Sequence, residues 1–307
     1  MMHIGIDVGG SKMELAVFDH NLSFVNAWRE STPTDDYGRF IAVVSNMVSH
    51  AENEIGSSAT VGIGLPGMID PRGVTTCPNV PCLTGKKTVA DVEASLDRPI
   101  GVGNDARNFA LSEANGGAGA DFDRVLGIII GSGLGGGLCI DGKVFTGSNN
   151  IAAEWGHMLL PAVLQQRYNL PLRECGCGAS GCIERYFSGP GLVWLYEHLT
   201  GRKLDTPVAT DVILRDDADA RKVADAYMNG LATCLSQLLI YYDPDIIVVG
   251  GGVSKEPEIL ARLPDAFPDA PYADKRVPEI LRARFGDSSG VRGAAILGKQ
   301  LKKKSVP

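Results

Sequence analysis

The chain has 307 residues, of which 44% are hydrophobic and 21% charged, and 29 Lys+Arg against 36 Asp+Glu give a formal charge of −7. This length exceeds one comfortable core and suits two domains, hence a cleft, and no polar low-complexity tract suggests disorder. The negative balance opposes a phosphate backbone, and no apolar run approaches the ~20 residues of a membrane span, so neither a nucleic-acid nor a membrane partner is expected. Met1 runs directly into Ile4-Gly5-Ile6-Asp7 without a basic and apolar leader, which predicts a cytoplasmic protein. Lys302, Lys303 and Lys304 form the one basic cluster and read as a solvated helix end.

Period-two alternation over 3–8, a Gly9-Gly10-Ser11 turn and resumed alternation over 13–18 predict a β-hairpin. A helix over 37–55 would carry Phe40, Val43, Val44, Met47, Val48 and Ala51 on one face, and a strand over 60–64 follows, ended by Pro66-Gly67. A short strand over 100–103 leads into Asn104-Asp105 and a helix bearing Phe109, Ala110 and Leu111. Gly116, Gly117 and Gly119 then free the backbone and mark a boundary.

Beyond that boundary the pattern restarts. A shift of 122 positions carries Ile4-Gly5-Ile6 onto Leu126-Gly127-Ile128, Gly9 onto Gly131 and Asp19 onto Asp141, which we read as a duplicated hairpin. The second half adds a helix over 220–241, with Val223, Tyr227, Leu231, Cys234, Leu235 and Leu238 inward, and a buried strand over 245–249 before Gly250-Gly251-Gly252. A last helix over 291–302 would pack back on the first domain. The expected domains are therefore 1–118, completed by 291–302, and 119–290.

Glycine-rich turns let successive backbone N–H groups approach an anion, so these loops predict phosphate. The run Gly5, Ile6, Asp7, Val8, Gly9, Gly10, Ser11, Lys12 nearly matches a P-loop, but Ser11-Lys12 reverses the required order and a strand follows where a helix is needed. Gly131, Ser132, Gly133, Leu134, Gly135 and Gly136 match a dinucleotide fingerprint, with Glu154 near the expected acidic position. Gly137, Leu138 and the Asp141-Gly142 turn instead continue a hairpin. Two glycine hairpins and a third glycine loop make a nucleotide clamp of another kind.

The segments Asp7-Val-Gly-Gly-Ser-Lys12, Gly131-Ser-Gly-Leu-Gly-Gly-Gly137 and Pro244-Asp-Ile-Ile-Val-Val-Gly-Gly-Gly252 together resemble the ROK family of sugar kinases over nearly the whole chain. The resemblance implies an α/β actin-like ATPase (ribonuclease H-like) fold of two duplicated domains. It implies that Gly9 to Lys12 and Ser132-Gly133 embrace the ATP phosphates, that Gly250, Gly251 and Gly252 line the adenosine side, and that Asp7 stands behind Mg²⁺ through water. Taken alone, Asp7 reads as a strand-end carboxylate capping its turn.

Phosphoryl transfer to a hydroxyl needs positioning, charge neutralisation and a proton acceptor. Asn104-Asp105-Ala106 matches the family's catalytic Asp, which makes Asp105 the expected general base, although alone the pair reads as a helix N-cap. The helix dipole favours its anion, so Asp105 is expected ionised at neutral pH. Glu154-Trp-Gly-His157 and Cys182-Ile-Glu184 match residues that hold sugar hydroxyls; Asn104, Glu154, His157 and Glu184 are the implied substrate ligands, with Gly67 and Asn79 at the rim. Two departures, Ala153 where the family often has glycine and the bulky Trp155, would reshape the pocket.

Of seven cysteines, three crowd into 175–182. His157, Cys175, Cys177 and Cys182 supply the type and number of ligands a closed tetrahedral Zn²⁺ site requires, and Gly176, Gly178 and Gly181 would let the backbone wrap the ion; the alternative is three reduced buried thiols. In ROK proteins, the resemblance adds, such a metal is structural and its histidine also reaches the sugar. Asn79-Val-Pro81 and Pro171 to Glu184 resemble members acting on N-acetyl-D-glucosamine, implying ATP-dependent formation of the 6-phosphate; a glucokinase, fructokinase, N-acetylmannosamine kinase or non-catalytic sugar sensor are the alternatives. Repressors of the family carry a helix-turn-helix before this motif, and six residues before Asp7 leave no room for one. The resemblance also implies a homodimer.

Overall fold

The computed structural model describes residues 1–204, 208–267 and 277–304, except the side chains of 214 and 302–304, so the reading of the terminal lysines as a solvated face lies outside the described residues. The chain separates into two compact units: Met1–Asn115 with Lys143–Ala152 and Asp287–Pro307, and Gly116–Gly142 with Ala153–Gly286. Among the described residues no helix is long and apolar enough to cross a membrane.

The first unit is built on a sheet with strands in the order Phe24–Ser31, Lys12–Phe18, His3–Val8, Thr60–Leu65, Gly101–Asn104. His3–Val8 runs antiparallel to Lys12–Phe18 and parallel to Thr60–Leu65, which is in turn parallel to Gly101–Asn104. Alternation decides what each face carries. Ile4, Ile6 and Val8 point to one face, where Phe40, Val44, Met47 and Val48 of the helix Tyr37–Ile55 cover them. Full burial of each such side chain stabilises by about 1.5–3 kcal/mol. The helix starts where the Asp36 carboxylate accepts from the Arg39 N–H and stops at Gly56, whose φ of 66° only glycine takes cheaply.

The opposite face begins with a row of three glycines. Gly5, Gly62 and Gly101 lie side by side in register across three strands. A Cβ on them would fall 1.9 Å from the Val291 carbonyl oxygen, 1.8 Å from that of Ala294 and 2.4 Å from the Leu297 carbonyl carbon. The C-terminal helix Ser289–Lys304 therefore lies on the sheet backbone to backbone. Its outer turns are tied to the helix Asp105–Ala114, since Ser289 Oγ donates to Glu113 Oε1 at 2.7 Å and Arg292 donates to the carbonyls of Ser112 and Asn115.

The second unit repeats the plan. Arg124–Ile130 is antiparallel to Leu134–Ile140 and parallel to Ile246–Gly250, which is parallel to Glu279–Arg282. The two hairpins differ by one residue: Val8 pairs with Met13 across a four-residue turn, whereas Ile130 pairs with Leu134 across three. The 122-residue shift thus holds for the first strand of each hairpin and slips by one in the second. The long helix Ala218–Tyr242 buries Val223, Tyr227, Leu231, Cys234, Leu235 and Leu238 in this unit's core.

Most elements fall within a residue or two of their expected bounds. The strand expected over 100–103 runs over Gly101–Asn104, because Asn104 pairs with Leu65 before starting the next helix. Gly62→Ala is expected to cost at least about 3 kcal/mol in urea-induced unfolding, because the added methyl overlaps a helix carbonyl that cannot withdraw without lifting the helix.

Candidate active site

In the first unit, functional side chains gather at the carboxyl ends of the parallel strands. One step beyond the glycine row, Asp7, Gly64 and Gly103 share the next register on the same face. The Asp7 carboxylate sits against Gly290 at the start of the C-terminal helix: a Cβ there would lie 3.1 Å from Asp7 Oδ2. Asp7 Oδ1 is buried without a hydrogen-bond partner among the described residues. Burial, reinforced by the charges of Asp105 and Glu14, pushes Asp7 up to about 7.

Asn104 caps the helix Asp105–Ala114 by accepting from the N–H groups of Ala106 at 3.0 Å and Arg107 at 3.3 Å. Its amide also donates to the Gly67 carbonyl at 3.1 Å, so Asn104 and Gly67 are brought together. Gly67 is required at its turn: φ is +91° and a Cβ would meet the Thr76 carbonyl oxygen at 2.2 Å. Asp105 accepts from the Ala106 N–H at 2.8 Å. The helix-end donors favour its anion, as expected, but burial outweighs them and its pKa is raised.

The turn Gly9–Lys12 is exposed at Gly10, Ser11 and Lys12 and is closed by the Gly9 N–H donating to the Lys12 carbonyl at 2.9 Å. Thr32 braces it, its hydroxyl donating to the Gly9 carbonyl and its N–H to that of Ser11. Asn79 is exposed beside Gly10, with its carbonyl 3.1 Å from a would-be Gly10 Cβ. Gly5, Ile6 and Val8 face the helix backbone or the core, so they frame this turn without lining it.

A cavity of about 180 Å³ opens beside Gly67 and Asn104. Its apolar wall includes Ile69, Val102, Val144 and Leu297, and Asn108 contributes to its polar part. Asn108 is fully buried, and neither end of its amide has a hydrogen-bond partner among the described residues. A Cβ on Gly103 would touch Asn108 Oδ1 at 2.3 Å, and one on Gly64 would meet Asn108 Nδ2 at 2.8 Å and Asp7 Oδ1 at 3.2 Å. The amide thus lies flat over two glycines, at a cost of about 1–3 kcal/mol per unsatisfied group. Asn150, at φ +54°, fastens the segment over the cavity by donating to the Ile69 carbonyl and accepting from Arg107 at 2.5 Å. Asn108 and Asn150 were not singled out from the sequence; a polar residue one helical turn after Asp105 on a helix with little amphipathic contrast was the available sign for Asn108.

The second unit carries the other candidates. Gly131 N–H donates to the Gly133 carbonyl at 3.0 Å, and the Gly189 N–H donates to the Gly131 carbonyl at 2.7 Å. Gly251, at φ +88°, passes so close to Ile130 that a Cβ would lie 2.5 Å from its carbonyl. The loops 131–133 and 250–252 therefore lie side by side at the ends of adjacent parallel strands. Gly135, Gly136, Gly137 and Leu138 lie within the following strand, and Leu134 and Leu138 are buried.

Trp155 lies beneath the turn that carries Glu154 and His157. It is buried, packs on Gly136 and donates to the Gly135 carbonyl at 2.6 Å, anchoring that turn. Ala153 has φ +63°, a left-handed backbone that suits glycine better. Glu184 lies against Gly133 and accepts from the Cys175 thiol at 3.2 Å.

The ligand atoms of His157, Cys175, Cys177 and Cys182 all lie within 4.8 Å of one another. Cys175 Sγ is 3.7 Å from His157 Nδ1 and Cys177 Sγ 3.5 Å from Cys182 Sγ. With Zn–S near 2.3 Å and Zn–N near 2.0 Å, the edges of a tetrahedron are about 3.5–3.8 Å, so the donor set fits zinc. Burial raises the Cys182 thiol, whereas the Ala179 N–H lowers that of the exposed Cys177.

Two sheets, each opening on a glycine hairpin, with carboxylates at the strand ends of the first, define the actin-like ATPase fold. The ROK family model matches residues 3–301, and the chain belongs to the ROK family. It is 45% identical over 300 residues to the N-acetylgalactosamine kinase AgaK of Shewanella sp. (strain ANA-3), covering 98% of this chain and 97% of that protein. It is 43% identical over 299 residues to the N-acetyl-D-glucosamine kinase of Escherichia coli O9:H4 (strain HS), covering 96% and 99%. Among solved structures, the ROK hexokinase from Thermus thermophilus superimposes with a TM-score of 0.87 at 27% identity, covering 99% of this chain and 100% of that one. A ROK family glucokinase from Streptomyces griseus, in complex with glucose and AMPPNP, gives 0.77 at 27% identity, covering 98% and 100%.

The raised pKa of Asp7 has a signed consequence. The unfolded chain releases this proton near 3.8 and the folded one near 7, so the stability it contributes is full below 3.8 and lost as pH rises through 7. Without added Mg²⁺, Asp7→Asn should melt close to wild type near pH 4 and be more stable at pH 8, by on the order of 3 kcal/mol; a difference independent of pH would contradict this.

Proposed function

We propose that this protein is an ATP-dependent kinase that converts N-acetyl-D-glucosamine to its 6-phosphate. The observation that carries the reading is the pair of carboxylates, the half-buried Asp7 and the solvent-accessible Asp105, set at strand ends inside the glycine framework of the family. Asp105 is the general base: it receives the proton of the 6-hydroxyl as the phosphoryl group departs from ATP, and a raised pKa suits that work. Gly9, Gly10, Ser11, Lys12, Ser132 and Gly133 hold the phosphates through backbone N–H groups, and Gly250, Gly251 and Gly252 receive the adenosine. Asp7, with its unpartnered oxygen, holds Mg²⁺ through water; when bound, the ion neutralises phosphate charge.

Asn104, Glu154, His157 and Glu184 hold the sugar, with Gly67 and Asn79 beside them. Zinc on His157 Nδ1 and the three thiolates is structural, because four protein ligands leave no open position. It would fix the turn bearing Glu154 and His157. The protein acts as a cytoplasmic homodimer. A second substrate, N-acetylgalactosamine, is favoured by the 45% identity to a kinase named for it.

A coupled ADP assay over N-acetylglucosamine, N-acetylgalactosamine, N-acetylmannosamine, glucose and fructose tests the reading, with the first expected to give the highest kcat/KM. Asp105→Asn should still bind both substrates while kcat falls about 10²–10⁴-fold; near-wild-type turnover would exclude the role. Removing zinc, verified by elemental analysis, should lower the melting temperature and raise the sugar KM at least about tenfold; unchanged kinetics in zinc-free protein would refute the structural role.

A further inference from the structure

We propose that the cavity beside Gly67 and Asn104 is the subsite for the acyl group on the substrate's C2 nitrogen, an assignment that rests on the N-acetylhexosamine reading above. Three observations meet there. The cavity opens at Gly67 and Asn104, whose turn and cap are locked to each other, so its mouth is a fixed edge of the sugar residues of this unit. Its volume, about 180 Å³, exceeds the bulk of an acetamido group, which matches roughly three waters at about 30 Å³ each. Its wall is mainly aliphatic, with Ile69, Val102, Val144 and Leu297, and so suits a methyl group.

The polar part supplies the rest of the match. An acetamido group carries one N–H donor and one carbonyl acceptor beside its methyl. Asn108 offers one acceptor and two donors, is fully buried, and spends none of them on the described residues. An amide left unsatisfied against a mostly apolar cavity is the environment in which another amide is recognised, because only a ligand with both a donor and an acceptor completes it. The segment that closes the cavity is held by Asn150, so the subsite exists before the substrate arrives.

Chain-length selectivity tests the assignment. Val144 lines the cavity from a short strand and is only partly buried, so its replacement leaves the core of the unit intact. The probes are the N-acetyl, N-propanoyl and N-butanoyl derivatives of glucosamine, with kcat/KM measured for wild type, Val144→Ala and Val144→Phe, each checked by thermal melting. Val144→Ala should raise the N-butanoyl to N-acetyl ratio about tenfold, and Val144→Phe should lower it by as much while raising the N-acetyl KM. If wild type phosphorylates N-acetylglucosamine and Val144→Ala keeps the wild-type ratio, the cavity is not the acyl subsite and the substrate reading stands. If wild type phosphorylates none of the three, the substrate reading itself fails.

Discussion

Backbone contact between the C-terminal helix and the first sheet is the constraint on which the remainder depends. Gly5, Gly62 and Gly101 exist in register because nothing larger than hydrogen fits beneath Val291, Ala294 and Leu297. Glycine weakens a strand in isolation, by its backbone entropy and lack of a packing side chain. Here that local loss is offset by a helix seated closer than any side-chain layer would allow. The same seating brings Gly290 against Asp7 and Gly293 against the backbone of Asn108, so two buried polar groups owe their surroundings to one helix.

The two units use one topology for different ends. Each has an antiparallel hairpin flanked by a parallel strand, and each places a glycine turn at the hairpin's tip. In the first unit Asp7 is the penultimate residue of the strand before that turn, and the neighbouring strands end near Gly67 and Asn104, giving carboxylates and amides. In the second the corresponding loops are Gly131-Ser132-Gly133 and Gly250-Gly251-Gly252, which carry no carboxylate. Duplication supplied the frame, and side chains at strand ends set the chemistry.

Much of this was legible in the sequence, and the exceptions share a cause. Hairpins, the helix Tyr37–Ile55 and the long helix follow from periodicity, and the Cys/His set follows from ligand type. Gly5 was assigned to nucleotide, but glycine in a strand has no local mark that separates a ligand loop from a close helix contact. The anchoring of Trp155 is invisible locally because its partner, the Gly135 carbonyl, is twenty residues away on another element. At Asp105 the helix-end donors are legible in the sequence, whereas the desolvation that raises its pKa depends on residues distant along the chain. Asn108 hid within a helix whose residues are buried on nearly every side, where amphipathic pattern gives no face.

One feature of the first sheet bears on how the chain acquires its structure over time. Its strands are made early, whereas the helix that covers their glycine row comes from residues 289–304, after the second unit's sequence. Until those residues leave the ribosome, the row stays bare, Asp7 lacks Gly290, and Glu113 lacks the Ser289 hydroxyl. The second unit, continuous but for one short excursion, can mature first. Asp7 and Glu113 then acquire their surroundings only as synthesis closes, so an incomplete chain holds these carboxylates without the contacts that define them.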